Sequence, residues 1–283
     1  MSEPAGALVV AATPIGNIGD ASGRLRRELG RADVVAAEDT RRLRRLCADL
    51  GVAPVGRVLS LFEGNERSRV ADVTEAVRAG QRVLLVTDAG MPLVSDPGYR
   101  VVAACAEQGL TVTVLPGPSA ALAALVVSGL PADRFCMEGF LPRKAGERAR
   151  RLAEIVHDPR THVFFESPRR TAATLRAMAA VLGGDRPAAV CRELTKTHEQ
   201  VRRGSLDMLA AGTDERVLGE VTIVVGGRSP SVTDADPVAL VADREQAGLS
   251  TKEAIGDVAR ELGRPKREVY AAVVAARAAL PDT

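Results

Sequence analysis

The densest group of chemistry-bearing residues in the chain is the stretch VTDAGMPLVSDPG, Val86 to Gly98. It follows the apolar run RVLLV and packs two Asp, two Pro and two Gly into eleven residues. Small residues over 88–92 let a ligand approach the backbone closely, while Asp88 and Asp96 supply negative potential. That combination suits a ligand with cationic character joined to a polar, hydroxyl-rich part, such as an adenosyl sulfonium. The structural alternative is that both aspartates cap turns and the helices that follow, as Asp commonly does.

Two phosphate-cradling signatures are missing. There is no G-x-x-x-x-G-K-[ST], and the first strand runs into ATPIGNIGD in place of G-x-G-x-x-G. What remains is a set of loops at the C-terminal ends of candidate strands, where open α/β sheets place ligands. They are TPIGN (13–17), EDTR (38–41), TDAGMPLVSDPG (87–98) and PGPSAA (116–121).

The elements that must hold these loops follow from periodicity. Short apolar runs predict strands over 7–12, 33–38, 58–62, 82–87 and 111–115. Between them ASGRLRRELG, DTRRLRRLCADLG and ERSRVADVTEAVRAG read as helices, each ending on a glycine, at Gly30, Gly51 and Gly80. Such apolar strands alternating with helices predict a mostly parallel sheet covered on both faces. A second α/β unit, expected to be mixed, begins near LPGPSAALAALVVSGLP (115–131), with strands over 162–166, 188–193 and 220–227. Its helices are ERARRLAEIV and RRTAATLRAMAAVLG. GGRSPSVTDADP (226–237) reads as a linker. Behind it STKE (250–253) is a capping box, and Pro265 opens a further helix after Gly263. This tail is either a helix-turn-helix or a small helical bundle. The expected domains are 1–117, 118–228 and 236–283.

Composition narrows the function classes. The 283 residues are 46% hydrophobic and carry a net charge of +2, so nucleic-acid affinity has to come from local arginine clusters. With no Trp, two Tyr and five Phe, an aromatic base-stacking platform is disfavoured. Four scattered cysteines, with no C-x-x-C pair and no His at zinc spacing, argue against a zinc site or disulfide framework and point to a reducing cytoplasm. The N-terminus does not read as a signal peptide, and no apolar run approaches a membrane span.

TPIGNIGD, AAEDTR, DAGMPLVSDPG, LPGPSA, SGLPADRF, GFLPRK, ESPRR and RELTK, in this order from about residue 7 to 227, resemble the signature series of the ribosomal small subunit methyltransferase I family. That family lies within the tetrapyrrole methylase superfamily. The resemblance implies two α/β domains of the tetrapyrrole methylase type with the cofactor cleft between them. The tail is similar to a helix-turn-helix appendix of some members. It further implies S-adenosylmethionine as cofactor, a homodimer, and 2'-O-methylation of a cytidine in the decoding centre of 16S rRNA. The chain departs from the family pattern in LFEGNE, which lacks two histidines, and at Met91, ESPRR and His198.

Carried onto these motifs, the resemblance places Pro14, Gly16, Asp88, Ala89, Gly90, Met91, Ser119 and Ala120 around the cofactor, with Glu166, Ser167 and Leu194 from the second domain. Transfer to a ribose hydroxyl relies on positioning, helped by a base or cation near the 2'-OH. RELTK offers Glu193 and Lys196 for this, and EDTR offers Glu38 and Asp39. Lys196 could stabilise the developing alkoxide, or act as a base if desolvation lowers its pKa; alternatively it simply pairs with Glu193. His198, without a visible partner, is read as structural. Expected RNA contacts are Arg41, Arg42, Arg44 and Arg45, then Arg143 and Lys144 with Arg148, Arg150 and Arg151, and in the tail Lys252, Lys266 and Arg267. Each cluster has the alternative of a solvated surface. Two rival functions share these features: a precorrin-type methyltransferase, and a non-enzymatic helix-turn-helix ligand sensor.

Overall fold

Strand β1 (Ala7–Ala11) is buried along its whole length, as a strand at the heart of a two-faced sheet must be. In a computed structural model that describes residues 6–213, 218–228 and 236–278, it lies between β4 (Arg82–Val86) and β5 (Val112–Leu115). β2 (Val34–Ala37) and β3 (Arg57–Ser60) complete a five-stranded sheet of order β3-β2-β4-β1-β5, and every pairing is parallel. Alternate residues serve opposite faces, as the strand period of two requires. Val9, Val35 and Leu84 meet α1 (Gly23–Leu29) and α2 (Thr40–Leu50), while Leu8, Val34 and Leu85 meet α3 (Glu66–Arg78) and α4 (Tyr99–Glu107). Local signals set the helix ends. The Ser22 hydroxyl accepts the Leu25 N–H at 3.0 Å, and Gly51 closes α2 with φ +63°. Each such cap contributes about 1 kcal/mol.

The second sheet is mixed, as its sequence suggested, with order β6-β7-β10-β8-β9. β6 (Phe135–Phe140) and β7 (Thr161–Glu166) are parallel; β10 (Val221–Val225), β8 (Pro187–Arg192) and β9 (Gln200–Ser205) join antiparallel. One face packs Phe164, Val190 and Ile223 against α6 (Ala145–Ala153), α7 (Thr171–Leu182) and α8 (Leu206–Ala211). The other packs Val163, Ala189 and Val224 against α5 (Ala120–Ser128), with Ile15 from the loop after β1 in the same cluster. Both sheets belong to one unit, residues 1–156 with 160–226.

A separate unit, 227–283 with 157–159, contains α9 (Pro237–Gln246), α10 (Thr251–Glu261) and α11 (Lys266–Ala278). They share a small core of Val241, Ile255, Val258, Leu262, Val269 and Val273. The capping box forms as its sequence implies, with Ser250 and Glu253 exchanging hydrogen bonds. Of the linker stretch, 229–235 lie outside the described residues. All four cysteines are free thiols, and no described helix is long and apolar enough to cross a membrane.

Candidate active site

The loop from Thr87 to Gly98 leaves β4 at the C-terminal edge of the first sheet and is held at both ends. At its start, Gly90 and Thr13 exchange backbone hydrogen bonds of 2.9 and 3.1 Å, tying it to the loop after β1. At its end, the buried Glu66 carboxylate accepts the Gly98 N–H at 3.1 Å and the Arg100 N–H at 2.8 Å. This role of LFEGNE, to anchor the start of α4, is independent of the histidines it lacks. Within the loop Leu93 (φ +75°) and Ser95 (φ +65°) occupy the left-handed region without being glycine. Such residues carry of order 1 kcal/mol or more of strain each and cluster at functional sites.

A cavity of about 330 Å³ opens beside this loop. Of the sequence-expected residues, Ala89, Gly90, Met91, Ser119, Ala120, Glu166 and Ser167 line it. Ile15, Val94, Ser95, Asp96, Phe140, Phe165, Pro168 and the segment 219–222 also line it, and sequence reasoning did not assign them to the cofactor. Phe140 and Phe165 form an apolar wall, with ring centroids 5.8 Å apart. Ser119 is the N-cap residue of α5 but makes no side-chain cap bond, so its hydroxyl and the leading N–H groups of the helix remain available to a ligand. Glu166, by contrast, is consumed internally. Its oxygens accept the Ser167 N–H at 2.7 Å and the Thr174 hydroxyl at 2.6 Å, fixing the corner after β7.

Pro14, Gly16, Asp88 and Leu194 stand outside this lining. Asp88 turns toward α2: it accepts the Asp39 N–H at 3.1 Å and pairs with Arg42 at 3.3 Å. Gly16 sits under the loop of RELTK, where a Cβ would come within 2.4 Å of the Lys196 side chain. The Asn17 N–H donates to the Thr195 hydroxyl at 3.0 Å across the same approach. Leu194 is buried in the core that Ile15 also joins.

RELTK stands behind the cavity, fastened to Glu220, which lines it. Glu193 N–H donates to the Glu220 carbonyl at 2.9 Å, and the Glu193 carboxylate accepts the Glu220 N–H at 2.8 Å. Lys196 Nζ donates to both Glu193 and Glu220 at 2.9 Å. Burial acts to depress the Lys196 pKa, but the two carboxylates outweigh it and hold it above the ordinary lysine value. This corrects the option of Lys196 as a base with a desolvation-lowered pKa. The ammonium is a fixed positive charge. Lys196 and its hydrogen bonds in turn hold Glu193 below the usual carboxylate range.

Four carboxylates gather near the loop with different environments. Burial pushes Glu38 up, against a hydrogen bond from the Asp88 N–H. Burial likewise raises Asp88. Asp39, the N-cap of α2, is held well below its ordinary value by hydrogen bonds from the Arg41 side chain and backbone. Asp96 is pushed up to about 7, by burial first and then by the negative charge of Glu38. His198 is exposed on the surface.

The arginine clusters are partly spoken for. Arg41 pairs with Asp39, Arg42 with Asp88, Arg45 weakly with Asp49, Lys144 with Glu147, and Arg151 with Glu138 and Glu154. Arg148 donates to the Arg143 carbonyl. Arg44, Arg143 and Arg150 are exposed, and none of the described ion pairs ends on them. In the helical unit, Lys252, Lys266 and Arg267 surround a pocket of about 510 Å³ with Ile255 and Tyr270.

Comparison with known proteins identifies the fold and the family. The profile of the tetrapyrrole (corrin/porphyrin) methylases matches residues 7–210. Ribosomal RNA small subunit methyltransferase I of Mycobacterium tuberculosis (strain CDC 1551 / Oshkosh) is 52% identical, over 96% of each chain. The protein of the same name from Escherichia coli O157:H7 is 39% identical over 94% of this chain and 93% of its own. Among solved structures, uroporphyrin-III C-methyltransferase from Thermus thermophilus, complexed with S-adenyl homocysteine, superposes with a TM-score of 0.53 at 22% identity, covering 77% of this chain and 96% of that one. The chain belongs to the tetrapyrrole methylase family and, within it, to the ribosomal RNA small subunit methyltransferase I family.

Proposed function

We propose that this protein is an S-adenosylmethionine-dependent methyltransferase of the small ribosomal subunit, which methylates the ribose 2'-oxygen of a cytidine in the decoding centre of 16S rRNA. It acts in the cytoplasm as a homodimer. The observation that carries the reading is the cavity itself, at the strand ends of a chain 52% identical to a small subunit rRNA methyltransferase. Its residues fit the methyl donor. Gly90 and Ala89 allow backbone approach, Phe140 and Phe165 offer an apolar face to a purine, and the uncapped start of α5 at Ser119 suits a carboxylate. Glu220 supplies negative potential at the cavity edge. When bound, S-adenosylmethionine supplies a methyl group already activated by a positively charged sulfur.

The protein's own work is then to orient and to exclude water. Gly90, fixed to Thr13, and Glu193, fixed to Glu220, hold two walls at a set separation. Lys196 contributes a permanent positive charge behind Glu220, suited to steadying negative charge that develops on the ribose oxygen. Arg44, Arg143 and Arg150, with Lys252, Lys266 and Arg267, supply phosphate contacts; the paired cations Arg41, Arg42, Arg45 and Lys144 add to the same field. Transfer of a tritiated methyl group to assembled small subunits, free rRNA and precorrin-type substrates tests the reading. Label on small subunits is the expected result. Label on a tetrapyrrole, or none at all, overturns it. The Lys196→Ala variant is expected to bind the donor normally and to lose single-turnover methylation.

A further inference from the structure

Beside the donor cavity lies a second, more polar cleft of about 640 Å³. Ser95 and Asp96 line both spaces. The cleft is bounded by Glu38 at the start of α2, by Glu63, Glu66 and Arg67 around the start of α3, and by Arg100 on α4. Arg67 and Arg100 are exposed on its rim, placed to meet a phosphate. Asp96 therefore lies where the two spaces adjoin.

The loop fixes this aspartate with care. The left-handed Ser95 immediately precedes it, and Gly139 of β6 brings the second sheet so near that a Cβ would lie 3.2 Å from the Ser95 hydroxyl. The neighbouring acids are otherwise occupied. Asp88 and Asp39 cap and pair at α2, Glu66 anchors α4, and Glu193 is tied to Lys196. No described ion pair ends on Asp96.

We propose that Asp96 is the catalytic residue that accepts the proton of the substrate hydroxyl, from its position between the donor cavity and the nucleotide cleft. This rests on the methyltransferase reading above. The ribose O–H bond breaks and its proton passes to an Asp96 carboxylate oxygen. The ribose oxygen forms the new bond to the methyl carbon, and the electron pair of the carbon–sulfur bond stays on sulfur, leaving a neutral thioether. Asp96 then returns the proton to water. Its elevated pKa, from burial beside Glu38, matches a base working near neutrality. The charges of Glu38 and Asp88 reinforce the shift, and Arg67 and Arg100 are the cations that line the same cleft.

The test compares wild type, Asp96→Asn and Asp96→Glu in single-turnover methylation of small subunits from pH 5.5 to 9, with donor affinity measured by calorimetry. For the wild type, the rate is expected to rise about tenfold per pH unit below about 7 and to level off above it. Asp96→Asn is expected to lose about 10²- to 10⁴-fold in rate and the pH dependence with it, with donor affinity within about threefold of wild type. Asp96→Glu, which keeps the acid, regains part of the rate and its pH dependence. An Asp96→Asn enzyme within threefold of the wild-type rate overturns this inference while leaving the methyltransferase reading intact. So does a loss confined to donor affinity, which makes Asp96 a binding group. A wild type that labels no small subunits at any pH overturns both.

Discussion

A carboxyl group pushed up to about 7 in the folded protein has a cost for stability. The ordinary aspartate value is 3.8, so the folded state holds the Asp96 proton over a pH range in which the unfolded chain has already released it. Stability therefore falls as pH rises between about 4 and about 7, and stays at the lower level above that. Each pH unit is worth about 1.4 kcal/mol, giving a ceiling of about 4 kcal/mol. Because Asp96 opens onto two water-accessible cavities, solvent screening reduces this to about 2 kcal/mol. Asp96→Asn removes the charge while keeping the shape of the protonated acid. The variant is expected to match wild type at pH 3 and to exceed it by about 2 kcal/mol at pH 8. Urea unfolding of both proteins at the two pH values measures the difference of differences, in which titrating groups not coupled to Asp96 cancel. An Asn variant equally or less stable than wild type at pH 8 refutes the reasoning, because Asp96 then gains from its charge.

Other consequences follow from the same geometry. Glu66→Ala leaves the Gly98 and Arg100 N–H groups without their acceptor, and is expected to destabilise the protein by about 2–3 kcal/mol in thermal or urea unfolding. Two glycine substitutions compare strain alone with strain plus collision, since Gly219 too has a positive φ, +91°. Gly90→Ala meets its nearest atom at 3.5 Å and costs about 1–2 kcal/mol through φ +83° alone, whereas at Gly219 a side chain collides with Glu193 at 2.4 Å. Calorimetry is therefore expected to find donor affinity weakened at least about tenfold more by Gly219→Val than by Gly90→Ala. RNA binding is expected to fall linearly with the logarithm of salt concentration, and Arg44→Ala is expected to lower that slope by about one.

The parallel sheet was legible because each of its central strands is buried on both faces and reads as an unbroken apolar run, ALVVA or RVLLV. In the second sheet the same signal exposed β7, β8 and β10 but not β6 and β9. Those two are the sheet's edges, and edge strands carry polar residues and irregularities that erase the pattern. β6 contains Glu138 and a register shift before Gly139; β9 reads QVRRGS. The short α8 and the helix α9 also escaped, the first for its six residues and the second behind a polar linker.

In the site, residues that share a loop were visible together, because DAGMPLVSDPG and LPGPSA announce turns at strand ends. Phe140, Phe165 and Glu220 were not assigned, since chain segments far apart in sequence bring them to one cavity only after both sheets form. Nor does sequence say which way a loop aspartate points. Asp88 and Asp96 look alike in the motif, yet one closes on α2 and Arg42 while the other opens onto the cavity.

The central claim is that the cavity lined by the Gly90 loop and by Glu220 holds the methyl donor. Titration calorimetry with S-adenosylmethionine and its demethylated product, on wild type and on Ala120→Phe, tests it most directly, since a ring at position 120 fills space that the donor would need. One equivalent bound per wild-type chain, with affinity lowered at least about a hundredfold in the variant, is the expected result. Equal binding by both proteins would contradict the account.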